Sequence, residues 1–246
     1  MSEIAAIQKM LDTKQVTPVI VLARSRTGSN LLVSLLNSHS KITVRGEKCA
    51  RIEGRDLSEV LLSAFSVRSP KVCVAGFKVF YYHPNDQDSD MLWNTLVGLP
   101  NLKVIHLKRE NILRTLVSRK IASVQDVWKA KGGNSVTESK TPTRVRMSEA
   151  ELLKGFQQTR AWEAWGEQLF QNHAMISVTY EDLVKDRATI MSRLFEFLGV
   201  DVVETETVLE KQNTKGLAQI VENYGELKKV FQDTAWSCFF DEESEA

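Results

Sequence analysis

The chain is short of several things, and each shortage excludes a class of protein. Cysteine is scarce: Cys49, Cys73 and Cys238 are an odd, scattered set with no C-x-x-C pair, which implies reduced thiols. Histidine is scarce as well, and His39, His83, His106 and His173 have no spacing with cysteine or carboxylates that suggests a metal site. Long apolar runs are missing; Val19 to Ala23 is typical, far below the ~18 residues of a membrane span. An excess of one charge is missing too. With 32 basic and 31 acidic residues the net charge is +1, so no global field draws the molecule to nucleic acid or an anionic membrane, and any anion site must be local. The opening MSEIAAIQKMLDTKQ alternates apolar and charged residues like an amphipathic helix and lacks the apolar stretch of an export signal. A soluble, cytoplasmic chain is therefore expected, without a structural metal, membrane span or nucleic-acid partner. No solenoid-period repeat or low-complexity tract is present.

What the chain has is enough length for a full core: 246 residues, 43% hydrophobic, within reach of a single α/β domain. Four short apolar runs read as buried parallel strands: Pro18 to Ala23, Val72 to Val79, Leu102 to Leu107 and Met175 to Thr179. Helical stripes separate them. Leu31, Leu32, Leu35 and Leu36 form one, and Val60, Leu61, Ala64 and Phe65 another. A third helix has Leu113, Leu116, Val117, Ile121 and Val124 as its expected core face, with Ser118 off that face beside Arg114. Ser148 and Glu151 have capping-box spacing ahead of Leu152, Phe156, Trp162, Trp165 and Leu169. Ile190, Met191, Leu194, Phe195 and Leu198 end at Gly199. This alternation predicts an α/β, three-layer fold with a mostly parallel sheet and helices on both faces. Ligands of such sheets bind beyond the carboxyl ends of the strands. Lys129 to Met147, with five basic residues against one acidic, reads as a lid or acceptor loop, and Asp241 to Ala246 as a flexible acidic tail.

The first strand runs directly into Arg24-Ser25-Arg26-Thr27-Gly28-Ser29-Asn30 and then a helix, the layout of an anion-binding loop. Backbone N–H groups at a helix N-terminus favour negative charge. Thr27 and Ser29 add hydroxyls, and Arg24 and Arg26 add forked donors suited to phosphate or sulfate. A Walker A loop is excluded, because Ala23 stands for its first glycine and Ser29, rather than lysine, follows Gly28.

The segment VLARSRTGSNLLVSLLNSHSKITVRGEKCARI resembles the donor loop, helix and catalytic strand of the sulfotransferase superfamily that uses 3′-phosphoadenosine 5′-phosphosulfate (PAPS), in particular its tyrosylprotein-type and bacterial glycolipid-type branches. Arg26-Thr27-Gly28-Ser29 matches the family's basic residue followed by Ser/Thr-Gly-Ser/Thr, and the glutamate that serves as base there corresponds to Glu47. HLKRENILRTLVSRKIA resembles the second signature, whose arginine and serine hold the donor's 3′-phosphate; these are Arg109 and Ser118. VTYEDLVKDRATIMSRLFEFLGV resembles a later segment in which Tyr180 would reach the nucleotide, and KQNTKGLAQIVENYGELKKVF one that closes over the donor through Lys211 or Lys215. The resemblance spans about residues 16–235 and implies a P-loop-like fold.

It departs from the family at Asn30, where many members have threonine, and after Lys78, where the cytosolic branch places a catalytic histidine two residues on and this chain has Phe80. His83 is then a second candidate base, less favoured than Glu47 and better read as a polar loop residue beside Pro84. The reading that results is transfer of a sulfuryl group from PAPS to a hydroxyl or amine of a small-molecule acceptor. Glu47 acts as base, with Arg45 or Lys48 as its nearby cation; Arg26 and Lys78 assist; no metal takes part, and adenosine 3′,5′-bisphosphate is the other product. Two rivals are a P-loop-type kinase or nucleotide hydrolase and a nucleotide-binding module without catalysis. Phe80, Tyr81, Tyr82 and Trp128 suggest an apolar or ring-bearing acceptor, though a core role suits some of them equally.

Overall fold

Short apolar runs followed by turns and helical stripes give the chain its alternation of strand and helix. The structure, a computed structural model, describes residues 3–130, 144–207 and 216–241. In chain order the elements begin α1 (Glu3–Lys14), β1 (Thr17–Ala23), α2 (Ser29–Asn37), β2 (Ile42–Arg45), α3 (Leu57–Phe65), β3 (Val74–Phe80), α4 (Asp90–Gly98) and β4 (Lys103–Lys108). They continue with α5 (Ile112–Ala130), α6 (Glu149–Leu169), β5 (Ala174–Thr179), α7 (Tyr180–Lys185), α8 (Arg187–Leu198), α9 (Leu217–Ile220) and α10 (Tyr224–Phe231).

The strands make one parallel sheet in the order β2-β3-β1-β4-β5. β3 is buried along its whole length and β1 at all but its first residue, which is why both appear in the sequence as unbroken apolar runs. β2 and β5 are the edges, where burial is interrupted: Ile42 and Val44 of β2 and Val178 of β5 are buried and their neighbours are not. The four predicted runs coincide with β1, β3, β4 and β5. β2 has only four residues, too short to stand out as a run; it lies in the segment that resembles the family's catalytic strand. At the centre of the sheet Gly76 pairs with Val19, and a Cβ there would lie 1.6 Å from the Val19 carbonyl oxygen. Only glycine allows the two backbones to come this close.

The chain groups into two compact units, residues 1–110 with 162–209 and residues 111–161 with 210–246. The first holds the sheet and a core on each face. Ile7, Leu11, Leu61, Phe65, Phe77, Leu96 and Phe170 pack on one face, and Leu32, Leu35, Leu36, Leu194, Phe195 and Leu198 on the other. α8 ends as predicted at Gly199, which adopts the left-handed conformation. Trp165, expected on a core face, is 37% exposed and meets Trp93 edge-on. Glu163, two residues earlier, is buried instead, so the inward face of α6 is rotated from the one its tryptophans suggest.

In the second unit Leu113, Val117, Phe156, Phe231, Phe239 and Phe240 form the core. The Asn111 carboxamide accepts from the Arg114 amide and starts α5, and the Ser148 hydroxyl accepts from the Glu151 amide at the start of α6, as the capping pattern requires. Val124 is 44% exposed, so the core face of α5 stops short of it. Of the predicted lid, residues 131–143 lie outside the described residues, as do Lys211, Lys215 and the acidic tail beyond Asp241. The described end of that lid is well anchored. Val145 and Met147 are buried, Val145 bridges Val221, and the Asn223 side chain bonds the Met147 backbone at both ends of its amide. Among the described residues no helix is long and apolar enough to cross a membrane.

Candidate active site at the carboxyl ends of the strands

Each strand of the first unit delivers at least one of the candidate residues near or just beyond its carboxyl end. β1 leads into Arg24 to Gly28, β2 into Glu47, β3 carries Lys78 and leads to His83, β4 leads to Arg109, and β5 to Tyr180. Parallel strands share one carboxyl edge, so residues far apart in sequence meet there.

The loop after β1 takes two left-handed residues in quick succession, Arg26 at φ 69° and Gly28 at φ 84°. Gly28 needs this conformation as the N-cap of α2, and no side chain caps that helix by hydrogen bonding. A Cβ at Gly28 would lie 2.3 Å from the Tyr180 ring, so the position is glycine for space as well as for φ. Arg26, which is not glycine, carries real strain there. The bracing is visible: the Thr27 hydroxyl donates to the Arg24 carbonyl at 2.8 Å, and Arg109 Nη1 donates to the Arg26 carbonyl at 3.3 Å. Arg109 also stacks its guanidinium 4.4 Å over the Tyr180 ring and lies 3.7 Å from Glu181. Arg26, Gly28, Arg109 and Tyr180 thus form one cationic cluster around an uncapped helix N-terminus, which suits a phosphate or sulfate group. Ser29 is buried in the first turn of α2 and Ser25 half-buried in the loop. Arg24 points elsewhere: it is 4% exposed, with its guanidinium 5.5 Å over the Trp162 ring.

Glu47 lies on a loop that is itself tied down. The Asp86 carboxylate accepts from the Ile52 and Glu53 amides, which holds its carboxyl below the usual range, and the Asn85 amide donates to the Ala50 carbonyl. The loop after β2 is thereby fastened to the loop after β3. Glu47 Oε1 is 3.0 Å from Lys78 Nζ and Oε2 is 3.7 Å from His83 Nε2. Lys78, 6% exposed, also donates to the Asn30 side chain, so one ammonium joins the first turn of α2 to the carboxylate. The cation expected beside Glu47 was Arg45 or Lys48. Arg45 instead donates to the Ala64 and Ser66 carbonyls at 2.9 and 2.7 Å, because the strand pleat turns it towards α3, and Lys78 takes the place by Glu47. His83 also differs from the polar loop residue expected: it is 1% exposed, and burial pushes its pKa down to about 4. Cys49, on the same loop, is a buried thiol pushed up to about 12 by burial and so unreactive.

With this geometry in place, similarity to known proteins becomes informative. Residues 92–204 match the profile of the Sulfotransferase family. The chain is 26% identical over 242 residues to nodulation protein H of Rhizobium tropici, covering 91% of this chain and 93% of that protein. It is 28% identical over 240 residues to nodulation protein H of Rhizobium meliloti strain 1021, covering 91% and 95%. Its fold matches a sulfotransferase from Alicyclobacillus acidocaldarius with a TM-score of 0.54 at 15% identity, over 87% of this chain and 90% of that one. Over most of its length the chain is similar to sulfotransferases. Sulfuryl transfer is its chemistry, and neither the kinase nor the binding-only alternative is favoured.

Within this sulfotransferase the residues singled out in the sequence fall into three groups. Arg26, Thr27, Gly28, Arg109 and Tyr180 come together at the β1 loop; Asn30, Lys78 and Glu47 form a second, continuous set with His83. Ser118 is half-buried on α5 in the second unit, and Lys211 and Lys215 lie outside the described residues. Phe80 and Tyr81 are core residues, whereas Tyr82 is half-buried, 5.4 Å from the Trp162 ring. The part of Trp162 in holding Arg24 and Tyr82 had no signal beyond its place in a helical stripe.

Proposed function

We propose that the chain, acting as a single sulfotransferase domain, moves the sulfuryl group of PAPS to a hydroxyl or amine of a small-molecule acceptor by in-line displacement. The observation that carries this reading is the Glu47 carboxylate, paired with Lys78 and beside His83 at the strand edge shared with the Arg26 to Ser29 anion loop. PAPS supplies an activated sulfuryl group on a bridging phosphate oxygen. Arg26, the Thr27 to Ser29 amides and hydroxyls, and Arg109 with Tyr180 offer the charge, donors and stacking surface that a phosphosulfate and a 3′-phosphate require. Ser118, Lys211 and Lys215 enter as donor ligands through the family resemblance alone.

Glu47 takes the proton of the acceptor as its oxygen or nitrogen bonds to sulfur, while the bond from sulfur to the bridging phosphate oxygen breaks. Lys78 and Arg26 supply positive charge where that oxygen becomes an anion, a role worth ~3 kcal/mol per donor in comparable oxyanion sites. Lys78 links the two halves, because its ammonium already touches both Asn30 of α2 and Glu47. Adenosine 3′,5′-bisphosphate leaves. The test is the rate of sulfate release from PAPS, with water or any hydroxyl compound that turns over as acceptor. Glu47→Gln should lower kcat by ~10²–10⁴-fold, the usual cost of removing a general base, and leave affinity for the bisphosphate near wild type. A Glu47→Gln enzyme of normal kcat would refute the assignment of the base.

A further inference from the structure

The reaction proposed above asks no proton transfer of His83, and its hydrogen bonding fixes what it can do. Nδ1 accepts from the Phe80 amide at 3.2 Å, so Nδ1 carries no proton. A neutral imidazole bonded in this way has its proton on Nε2, and Nε2 is the atom 3.7 Å from Glu47 Oε2. A nitrogen that already bears a proton cannot accept one. Charging the ring would require a proton on Nδ1 as well, setting it against the Phe80 N–H in a pocket closed by the Phe80 and Tyr82 rings at 4.9 and 5.4 Å. The charged groups facing the ring are Glu47, from the loop after β2, and Lys78, from β3. Burial disfavours the imidazolium most, Lys78 adds to that, and Glu47 only partly opposes it.

We infer that His83 is a positioning residue: its Nε2–H orients Oε2 of Glu47 while Lys78 holds Oε1, which leaves the carboxylate's remaining lone pairs turned to the open side of the site. Fastened by Lys78 alone, the carboxylate would be free to turn both oxygens onto the ammonium and away from an acceptor. The present 3.7 Å is longer than a hydrogen bond, as contacts of this kind commonly are before substrates bind. The inference rests on Glu47 as the proton acceptor and adds how that carboxylate is aimed.

Two variants and one spectrum test it. His83→Phe keeps an aromatic ring among Phe80 and Tyr82 but removes the donor; His83→Gln restores a side-chain N–H. With sulfate release from PAPS as the readout, His83→Phe should lose ~10-fold in kcat, about the worth of one hydrogen bond to a charged group. Its KM for PAPS should stay within about twofold, and the acid-side fall-off of kcat should move to higher pH, because a hydrogen bond to the ionised carboxylate has gone. His83→Gln should return to within about threefold of wild type. In the wild-type enzyme, nitrogen–proton correlation spectra should show His83 as the neutral Nε2–H tautomer at pH 6. An imidazolium or an Nδ1–H tautomer at that pH overturns the inference even if neither variant folds. So does a His83→Phe enzyme with wild-type kcat and pH profile, or equal loss in both variants with the profile unmoved, which would mark a packing role. If Glu47→Gln is slow while His83→Phe is normal, only the aiming role fails; if Glu47→Gln is fast, the base assignment fails first.

Discussion

The two halves of the site are built on opposite plans. The loop after β1 is a contiguous stretch of seven residues, Arg24 to Asn30, and is built on backbone geometry: left-handed turns and an uncapped helix, with arginines beside them. The carboxylate half is assembled from two separate segments, the loop after β2 with Glu47 and β3 with its following turn, which bring Lys78 and His83, and it depends on buried side chains and their protonation states. The first half is a shape for an anion. The second is a poised charge that has to be supported from several directions.

Mutation should separate them. The largest expected effect is that of Glu47→Gln, two to four orders of magnitude in kcat with donor binding retained, and it confines the chemistry to the assembled half. Next comes Arg109→Ala. It removes the stack on Tyr180 and the brace on the Arg26 carbonyl, and calorimetry should show affinity for adenosine 3′,5′-bisphosphate falling ~10–100-fold. Loss of kcat with unchanged bisphosphate affinity in Arg109→Ala would erase the division between halves. Gly28→Ala tests the backbone plan itself. A methyl at φ 84° driven into the Tyr180 ring should cost about 1–3 kcal/mol, read as a roughly tenfold weaker bisphosphate affinity with the enzyme still folded.

The smallest effect is on stability and belongs to the buried histidines. His106, fully buried with Nε2 2.7 Å from the Tyr81 hydroxyl and Glu167 and Lys108 facing it, is pushed down to about 4 by burial, as His83 is. Both stay neutral in the folded chain, while in the unfolded chain they take up protons below ~6.5. Stability is therefore full above that pH and is lost as pH falls from ~6.5 towards 4, on the order of 1–2 kcal/mol per imidazole by pH 5. Tm should drop by several degrees between pH 7 and 5, and His83→Gln or His106→Gln should each flatten that slope. A flat Tm across this range in the wild type would mean that the two imidazoles are not held neutral.

The same division explains what was legible in the sequence. The β1 loop follows a strand end directly, so reading strands as apolar runs located it together with most of the sheet; Arg109 and Tyr180 also follow strand ends but were singled out by resemblance. Glu47 was legible only by resemblance, since its strand, β2, has four residues and an edge strand's incomplete burial. Its cation was misjudged because sequence proximity favours Arg45, whereas the pleat sends Arg45 to α3 and parallel pairing brings Lys78, from β3, beside Glu47. His83 beside a proline reads as a turn, and nothing local shows that Phe80, three residues back, closes over it. Exposed Trp165 and buried Glu163 invert what composition alone favours; which face of α6 turns inward is decided by tertiary packing.

Gly76 bears on how this protein can change. The hydrogen atom that stands for its side chain sets the spacing between β1, which ends in the anion loop, and β3, which carries Lys78 two residues further on. Any side chain there would wedge the strands apart and shift the ammonium relative to Asn30 and Glu47, altering reactivity and fold in the same step. The position is thus closed to gradual variation, for natural drift and for a designer's library alike. New acceptor scope has to be found in the loops beyond the strand ends, where residues can be exchanged without moving the sheet that aims them.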